Sequence, residues 1–272
     1  EVLCIEELDP VIERELIFLC GKYQLPVKIR GKLTGDVKRA GENTRDTVYD
    51  DIAAFKGWTK PETSALPEPP VSVVRPPVLC AGCPHRASSY AVKRSMKGQK
   101  SVFCGDIGCY TLGAFPPLNA MDSTNCMGAS IGNAAGLRRG GPTGRCGAVL
   151  GESTFFHSGM TGILSAHYNG TPVTTVVLDN RITAMTGHQD NPGTGRTLAG
   201  DPAPVTEILD IAKACGYKKV VRVSADDLAA LETTLKDAMD GDEGALVVAY
   251  APCRIAAKLT KEGLCAVDET KC

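Results

Sequence analysis

The chain has 272 residues, with 30 Lys+Arg against 31 Asp+Glu and a formal net charge of -1. A near-neutral mixture of charges gives no basic field for nucleic acid or for a membrane surface. No apolar run is long enough to span a membrane and no signal-peptide pattern opens the chain, so it reads as a cytoplasmic globular protein of about two domains. Its 12 cysteines are not those of a disulfide scaffold, which suits short secreted chains without a sufficient core.

The first sixty residues read as a small α/β piece. VLCIEEL is a short strand, Val11–Leu19 an amphipathic helix opened by Pro10 and stopped near Gly21, and LPVKIRG a second short strand. Proline recurs from Pro61 to Pro77, which excludes a regular helix or central strand and reads as a linker. From Val78 strands and helices alternate. SVFC is a strand ending in GDIG, CMGASIGNAAGL (Cys126–Leu137) a small-residue helix, GAVLG a strand and FFHSGMTGILSAHYN a helical crossover. TPVTTVVLDN is a strand rich in β-branched residues, followed by a polar, glycine-rich loop from Arg181 to Gly200. PVTEILDIAKACG is a helix, KKVVRVS a strand, Asp226–Ala238 a helix and ALVVAYAPC the last strand. The rhythm predicts an α/β fold, a mostly parallel sheet covered by helices on both faces. Ligands of such folds bind beyond the C-terminal ends of the strands, where Cys109, Glu152, Asn180 and Cys253 all fall.

Cys4, Cys20, Cys104, Cys146 and Cys215 read as small buried hydrophobes. Cys80 and Cys83 (CAGC), Cys109 (GDIGCY) and Cys253 (APC) stand in turns or at strand ends, rigid positions from which thiolates converge on a metal or an iron–sulfur cluster. A redox-active CxxC pair is a rival reading, because Pro84 follows Cys83 and begins a helix there; purely structural cysteines are the third. The dinucleotide and P-loop glycine patterns are missing. The phosphate-site candidate is Gly151-Glu152-Ser153 together with Asp179-Asn180. The glycine admits a phosphate close to the backbone, and Glu152, Asn180 and the Ile182 carbonyl are hard oxygen ligands suited to Mg2+. A helix starting after Ser153 meets diphosphate charge with its N-terminus. The plainer alternative makes Ser153 a cap and Asp179-Asn180 a turn. Among the four histidines, His85, His157 and His188 are candidates for proton exchange or neutral hydrogen bonding at a cofactor, and His167 for packing.

CAGCPHRASSY, GDIGCYTLG, TNCMGASIGNAAG, GESTFFHSG and LDNRITAMTGHQDNPGTG, in this order from Cys80 to Gly195, resemble the indolepyruvate ferredoxin oxidoreductase alpha subunits of the 2-oxoacid:ferredoxin oxidoreductase family. The resemblance implies oxidative decarboxylation of aryl-2-oxoacids to acyl-CoA. It implies thiamine diphosphate, Mg2+ and a [4Fe-4S] cluster as cofactors, and a second (beta) subunit, ferredoxin and coenzyme A as partners. Residues 78–255 would form the diphosphate-binding domain of a thiamine enzyme. Residues 1–60 would be part of a transketolase-C-like domain, 61–77 a linker, and 256–272 the start of a truncated ferredoxin-like extension. The glutamate that activates the cofactor in this family would lie outside these residues.

Carried over residue by residue, the resemblance gives the cluster to Cys80, Cys83, Cys109 and Cys253, and Mg2+ to Glu152, Asn180 and the carbonyl of Ile182. His157 and His188 would make the polar contacts at the reacting carbon. His85, Asp106, Ile107, Gly108, Cys126, Met127 and Gly128 would wall the cofactor, with Gly151 and Ser153 at the diphosphate and Met185, Thr186 and Gly187 looping over it. Two residues depart from the family pattern. Glu152 replaces the usual aspartate and carries its carboxylate about 1.5 Å farther out; CAGC replaces CPGC and frees that turn. A nonoxidative thiamine-dependent 2-oxoacid decarboxylase and a noncatalytic binding subunit are the rival functions.

Overall fold

The computed structural model describes residues 1–59, 71–141, 144–171, 173–258 and 268–270. Two compact units, Glu1–Val74 and Arg75–Cys272, divide the chain. Much of the proline-rich stretch, at 60–70, and most of the 256–272 extension lie outside the described residues.

In the first unit β1 (Val2–Leu3) pairs in parallel with β2 (Ile29–Arg30), around α1 (Val11–Lys22) and α2 (Arg45–Lys56). Both expected strands shrink to two residues. The buried residue of α1 is Glu13, whose carboxylate accepts from the Leu33 amide at 3.1 Å, while Val11, Ile12 and Phe18 face outward. The periodicity that marks α1 as amphipathic therefore does not identify its packed face. Helix α2 is stopped by Gly57 at φ 67°, a left-handed conformation that glycine adopts without a steric cost.

The second unit is built on a parallel sheet. Its elements are α3 (Pro84–Ser95), β3 (Ser101–Gly105), β4 (Ser123–Thr124), α4 (Ala129–Arg139), β5 (Arg145–Gly151), α5 (Glu152–Thr154), α6 (Met160–Tyr168), β6 (Thr174–Asp179), α7 (Ile208–Ala214), β7 (Lys219–Ser224), α8 (Leu228–Asp240) and β8 (Ala245–Tyr250). The strand order is β4-β3-β5-β6-β8-β7, every pair parallel. Alternate strand residues go to opposite faces. Val149, Val176 and Val247 join Val92, Leu231 and Leu235 of α3 and α8 in one core. Leu150, Val177 and Val248 join Ile131, Ile163 and Ala212 of α4, α6 and α7 in the other. Fully burying such a side chain stabilises by about 1.5–3 kcal/mol, which explains why the central strands read as continuous apolar runs.

The chain leaves β3 toward β4 and returns across it to β5, so the crevice between the C-terminal ends of β3 and β5 is a topological switch point, where ligands of open parallel sheets bind. The helix expected at Cys126–Leu137 starts three residues later, because Gly128 takes φ 86° and cannot continue a right-handed turn. The FFHSG segment (Phe155–Gly159) is a π-helical turn between α5 and α6, a distortion found often at functional sites.

Candidate cofactor site

Two adjoining cavities open at the strand ends. The first, of about 200 Å³, is lined by Cys80, Cys83, Cys109 and Cys253, with His85, Met185 and His188 also on its wall. The CAGC turn that delivers two of these thiols closes through Cys83 N donating to Cys80 O at 3.2 Å and through Arg86 Nε donating to the same carbonyl at 3.0 Å. Gly82 makes the turn possible at φ 69°. Cys253 is fixed from β8 by its amide, which donates to the Asn180 carbonyl at 2.9 Å. Burial pushes the Cys109 thiol up to about 11, with the thiols of Cys83, Cys253 and Cys80 adding to the rise. Cys83 is also raised, by burial first and then by Cys80 and Cys253. Among the described residues, no three His, Cys, Asp or Glu side chains gather closely enough to enclose a single ion.

The second cavity lies at the switch point. Ile107, Gly108, Met127, Gly151, Glu152, Ser153, Ile182 and Thr186 line it, and it shares His85, Cys109, Asn180, Ala184 and Met185 with the first. Glu152 opens α5 at the end of β5 and is 4% exposed. Burial and the neighbouring Asp179 carboxylate push it up to about 8, partly offset by the amides of Glu152, Asn180 and Asn191. Asn180, at the end of β6, accepts at Oδ1 from the Ile182 amide at 3.2 Å, and its Nδ2 lies 3.2 Å from His85 Nε2. Burial lowers His85 to about 4, so the ring is neutral and Nε2 accepts from the Asn180 amide. The Ile182 amide, which can only donate, fixes which end of Asn180 is oxygen. The Glu152 carboxylate, the Asn180 side-chain oxygen and the Ile182 carbonyl belong to residues that line this one cavity; these are hard-oxygen donors of the kind Mg2+ takes, so the residues present fit Mg2+.

Not all expected residues meet in these cavities. Asp106 lines neither cavity. It is fully buried, and its carboxylate is engaged by the Tyr110 hydroxyl, by the Gly128 amide at 3.0 Å and by Ser130 Oγ at 2.8 Å. It tethers the Gly128 turn from behind the wall. Cys126, Gly128 and Gly187 likewise stand outside both linings. Of the two histidines expected at one reacting carbon, one lines a cavity. His188, at φ 65°, joins the cysteine cavity, whereas His157 is exposed on the π-helical turn with Nδ1 at 2.9 Å from Ser158 Oγ. Gly151 has a packing role as well as its place on the cavity wall, since a Cβ there would stand 2.7 Å from the Tyr110 ring.

Sequence reasoning missed Asn191, whose Nδ2 donates to Glu152 Oε1 at 3.2 Å, and Tyr110, which bonds Asp106, the Ile107 carbonyl and Thr154. Asn191 sits in a polar glycine-rich loop where nothing in the spacing distinguishes it. Tyr110 was signalled only by its position beside Cys109.

Residues 106–249 match the family of thiamine pyrophosphate enzymes, C-terminal TPP binding domain. The chain belongs to this family, within its indolepyruvate oxidoreductase alpha-subunit branch. It is 38% identical over 277 residues to the indolepyruvate oxidoreductase subunit IorA of Methanothermobacter thermautotrophicus, covering 100% of this chain and 44% of that protein. It is 38% identical over 274 residues to the subunit of the same name from Thermococcus kodakarensis, covering 94% of this chain and 42% of that one. The chain thus spans less than half the length of these curated relatives. A 2-oxoglutarate:ferredoxin oxidoreductase from Magnetococcus marinus shares the fold, with a TM-score of 0.58 and 22% identity over 66% of this chain and 65% of that one. The parallel α/β sheet expected from the sequence is the one that family membership requires. No helix among the described residues is long and apolar enough to cross a membrane.

Proposed function

We propose that the chain supplies the thiamine-diphosphate and cluster sites of a cytoplasmic enzyme that oxidatively decarboxylates aryl-2-oxoacids to acyl-CoA and passes electrons to ferredoxin. The observation that carries this reading is the shared wall of the two cavities: Cys109, His85 and Met185 border the thiol-lined cavity on one side and the carboxylate-lined one on the other. A decarboxylating site that adjoins a ring of four thiols has an electron outlet beside it. The curated relatives are named as indolepyruvate oxidoreductase subunits, which supports the aryl substrate and assembly with a second (beta) subunit.

In this reading Glu152, Asn180 and the Ile182 carbonyl would hold Mg2+. Cys80, Cys83, Cys109 and Cys253 would hold a [4Fe-4S] cluster through their thiolates. When bound, thiamine diphosphate supplies the electron sink for loss of carbon dioxide and the cluster accepts electrons singly. The protein's part is placement. His85, neutral and buried, accepts from the Asn180 amide and with the Ile182 amide fixes the orientation of that side chain. Asp106 and Tyr110 brace the Gly108 turn on the cavity wall and, from behind it, the Gly128 turn, and Met185 and Ile107 line the cavity with apolar surface. His188 offers a polar contact from the cysteine side. Residues 1–60, as part of a transketolase-C-like domain, would stand outside this chemistry.

Anaerobic reconstitution of the purified holoprotein tests the reading. We expect iron and sulfide in a 1:1 ratio, lost together in Cys83→Ala/Cys109→Ala, and viologen or ferredoxin reduction that requires indolepyruvate and coenzyme A. Aldehyde release by an iron-free protein would establish the nonoxidative decarboxylase instead. Failure to retain thiamine diphosphate would leave a binding subunit.

A further inference from the structure

We propose that Asn191 is a positioning residue of the metal site, aiming the Glu152 carboxylate and fixing its spacing from the Ile182 loop; this rests on Glu152 being a metal ligand. Asn191 is 9% exposed and its polar groups are all engaged. Nδ2 donates to Glu152 Oε1 at 3.2 Å and to Thr183 Oγ1 at 3.3 Å. Oδ1 accepts from the Gly193 amide at 2.9 Å, and the main-chain amide donates to Thr194 Oγ1 at 3.3 Å. A carboxamide offers two N–H donors and one carbonyl. Here the carbonyl is committed to the loop, which leaves the donors facing the carboxylate and the neighbour of Ile182. The loop itself is closed by Thr183 and Gln189 exchanging backbone hydrogen bonds at 3.0 and 3.1 Å. One amide thereby spans the two candidate ligand-bearing segments, the start of α5 and the 182–183 turn.

The need for such a brace follows from the side chain at position 152. Glutamate has one more rotatable bond than aspartate, and an unanchored carboxylate would sample positions off the metal. Groups that hold a ligand from outside the coordination shell change metal affinity by about 10–100-fold when removed.

The test uses Mn2+ as the probe, titrated into chelator-treated holoprotein with thiamine diphosphate and read by the electron paramagnetic resonance of free Mn2+. Asn191→Leu, close in size but without the amide, is expected to raise Kd by about 10–100-fold. Thr197→Val removes a hydroxyl from the same loop, one that accepts from the Asp201 amide, and leaves the Asn191 contacts in place, so Kd should stay within about twofold, the scatter of independent sites. A swap keeps the result independent of loop integrity. Glu152→Asp and Asn191→Gln should each weaken Mn2+ binding, and the pair together, which moves one methylene from acid to amide, should recover most of the loss. Unchanged affinity in Asn191→Leu while Glu152→Ala abolishes binding overturns the positioning role and leaves the metal site standing. A swap no tighter than the product of its single effects also overturns it. Wild-type affinity in Glu152→Ala overturns the metal assignment and this proposal with it.

Discussion

The amide nitrogen of Asn180 donates to Nε2 of His85 at 3.2 Å, with both side chains buried. The histidine reaches this point because Pro84 starts α3 directly after the CAGC turn, so one short segment carries two thiols to one cavity and an imidazole to the boundary of both. His85→Leu removes the acceptor and frees the Asn180 amide to rotate. Mn2+ affinity in the presence of thiamine diphosphate is expected to fall about 10-fold, while His85→Gln, whose carbonyl can accept, retains more of it. The same residue shapes the acid limb of stability. Its folded value of about 4 lies below the ordinary value near 6.5, so between these the unfolded chain binds the extra proton. Stability then falls as pH drops from about 6.5 to 4, by up to about 1.4 kcal/mol per pH unit. Urea unfolding across that range should show a shallower loss in His85→Gln; an identical acid limb would refute the buried neutral ring.

Glu152 gives the opposite sign. Its folded value of about 8 lies above the ordinary carboxylate range near 4.5, so here the folded state holds the extra proton. Metal-free protein should lose stability from this group as pH rises from about 4.5 to 8, again by at most about 1.4 kcal/mol per unit. Glu152→Gln should flatten that decline, and Mg2+ with thiamine diphosphate should reverse it by stabilising the ionised form. Unfolding midpoints of the metal-free and loaded protein at pH 5 and 8 check both statements. A decline unchanged by Glu152→Gln would place the coupling elsewhere.

The parallel sheet was legible because its central strands are buried on both faces and read as unbroken apolar runs, and because strand ends announce themselves in glycine, asparagine and cysteine. The residues at those ends, Cys109, Glu152, Asn180 and Cys253, do line the two cavities. What was not legible depends on contacts between segments distant in sequence. The resemblance puts Asp106 on the cofactor wall, yet the Gly128 amide and Ser130 hydroxyl that engage it lie more than twenty residues on. His157 sits in a helix by its pattern, but a π-helical turn rotates it outward. Asn191 becomes visible only when the 181–200 loop folds back onto α5.

Asp106 holds three partners from two segments, and burial makes it a weaker acid although those hydrogen bonds oppose the shift. Asp106→Ala would strand the Tyr110 hydroxyl, the Gly128 amide and the Ser130 hydroxyl. Leaving a buried donor unmatched costs about 1–3 kcal/mol each, so a loss of several kcal/mol is expected in denaturant unfolding. Asp106→Asn keeps an acceptor and should lose less. The ordering Ala worse than Asn separates a tether from a cofactor ligand: a ligand would lose thiamine diphosphate affinity in both variants at unchanged stability.

The Tyr110 ring lies between two glycines. A Cβ at Gly151 would stand 2.7 Å from its Cε1, and one at Gly108 would be 2.9 Å from its Cζ. The ring cannot withdraw, because its hydroxyl is held by Asp106, by the Ile107 carbonyl at 3.0 Å and by Thr154 at 3.2 Å. Gly151→Ala therefore overpacks a site with no slack, which costs about 1–3 kcal/mol, and it pushes on the first turn of α5, where Glu152 stands. Tyr110→Leu removes the ring atoms in the way but strands the polar groups around the hydroxyl, so it is destabilising alone. The double variant should be more stable than the sum of the two single losses by about 1 kcal/mol or more, the coupling expected of residues in contact. Equilibrium unfolding of the four proteins in the cycle measures it. Strict additivity would mean that Gly151 is required by the ligand side of the cavity alone and that the ring behind it has room to move.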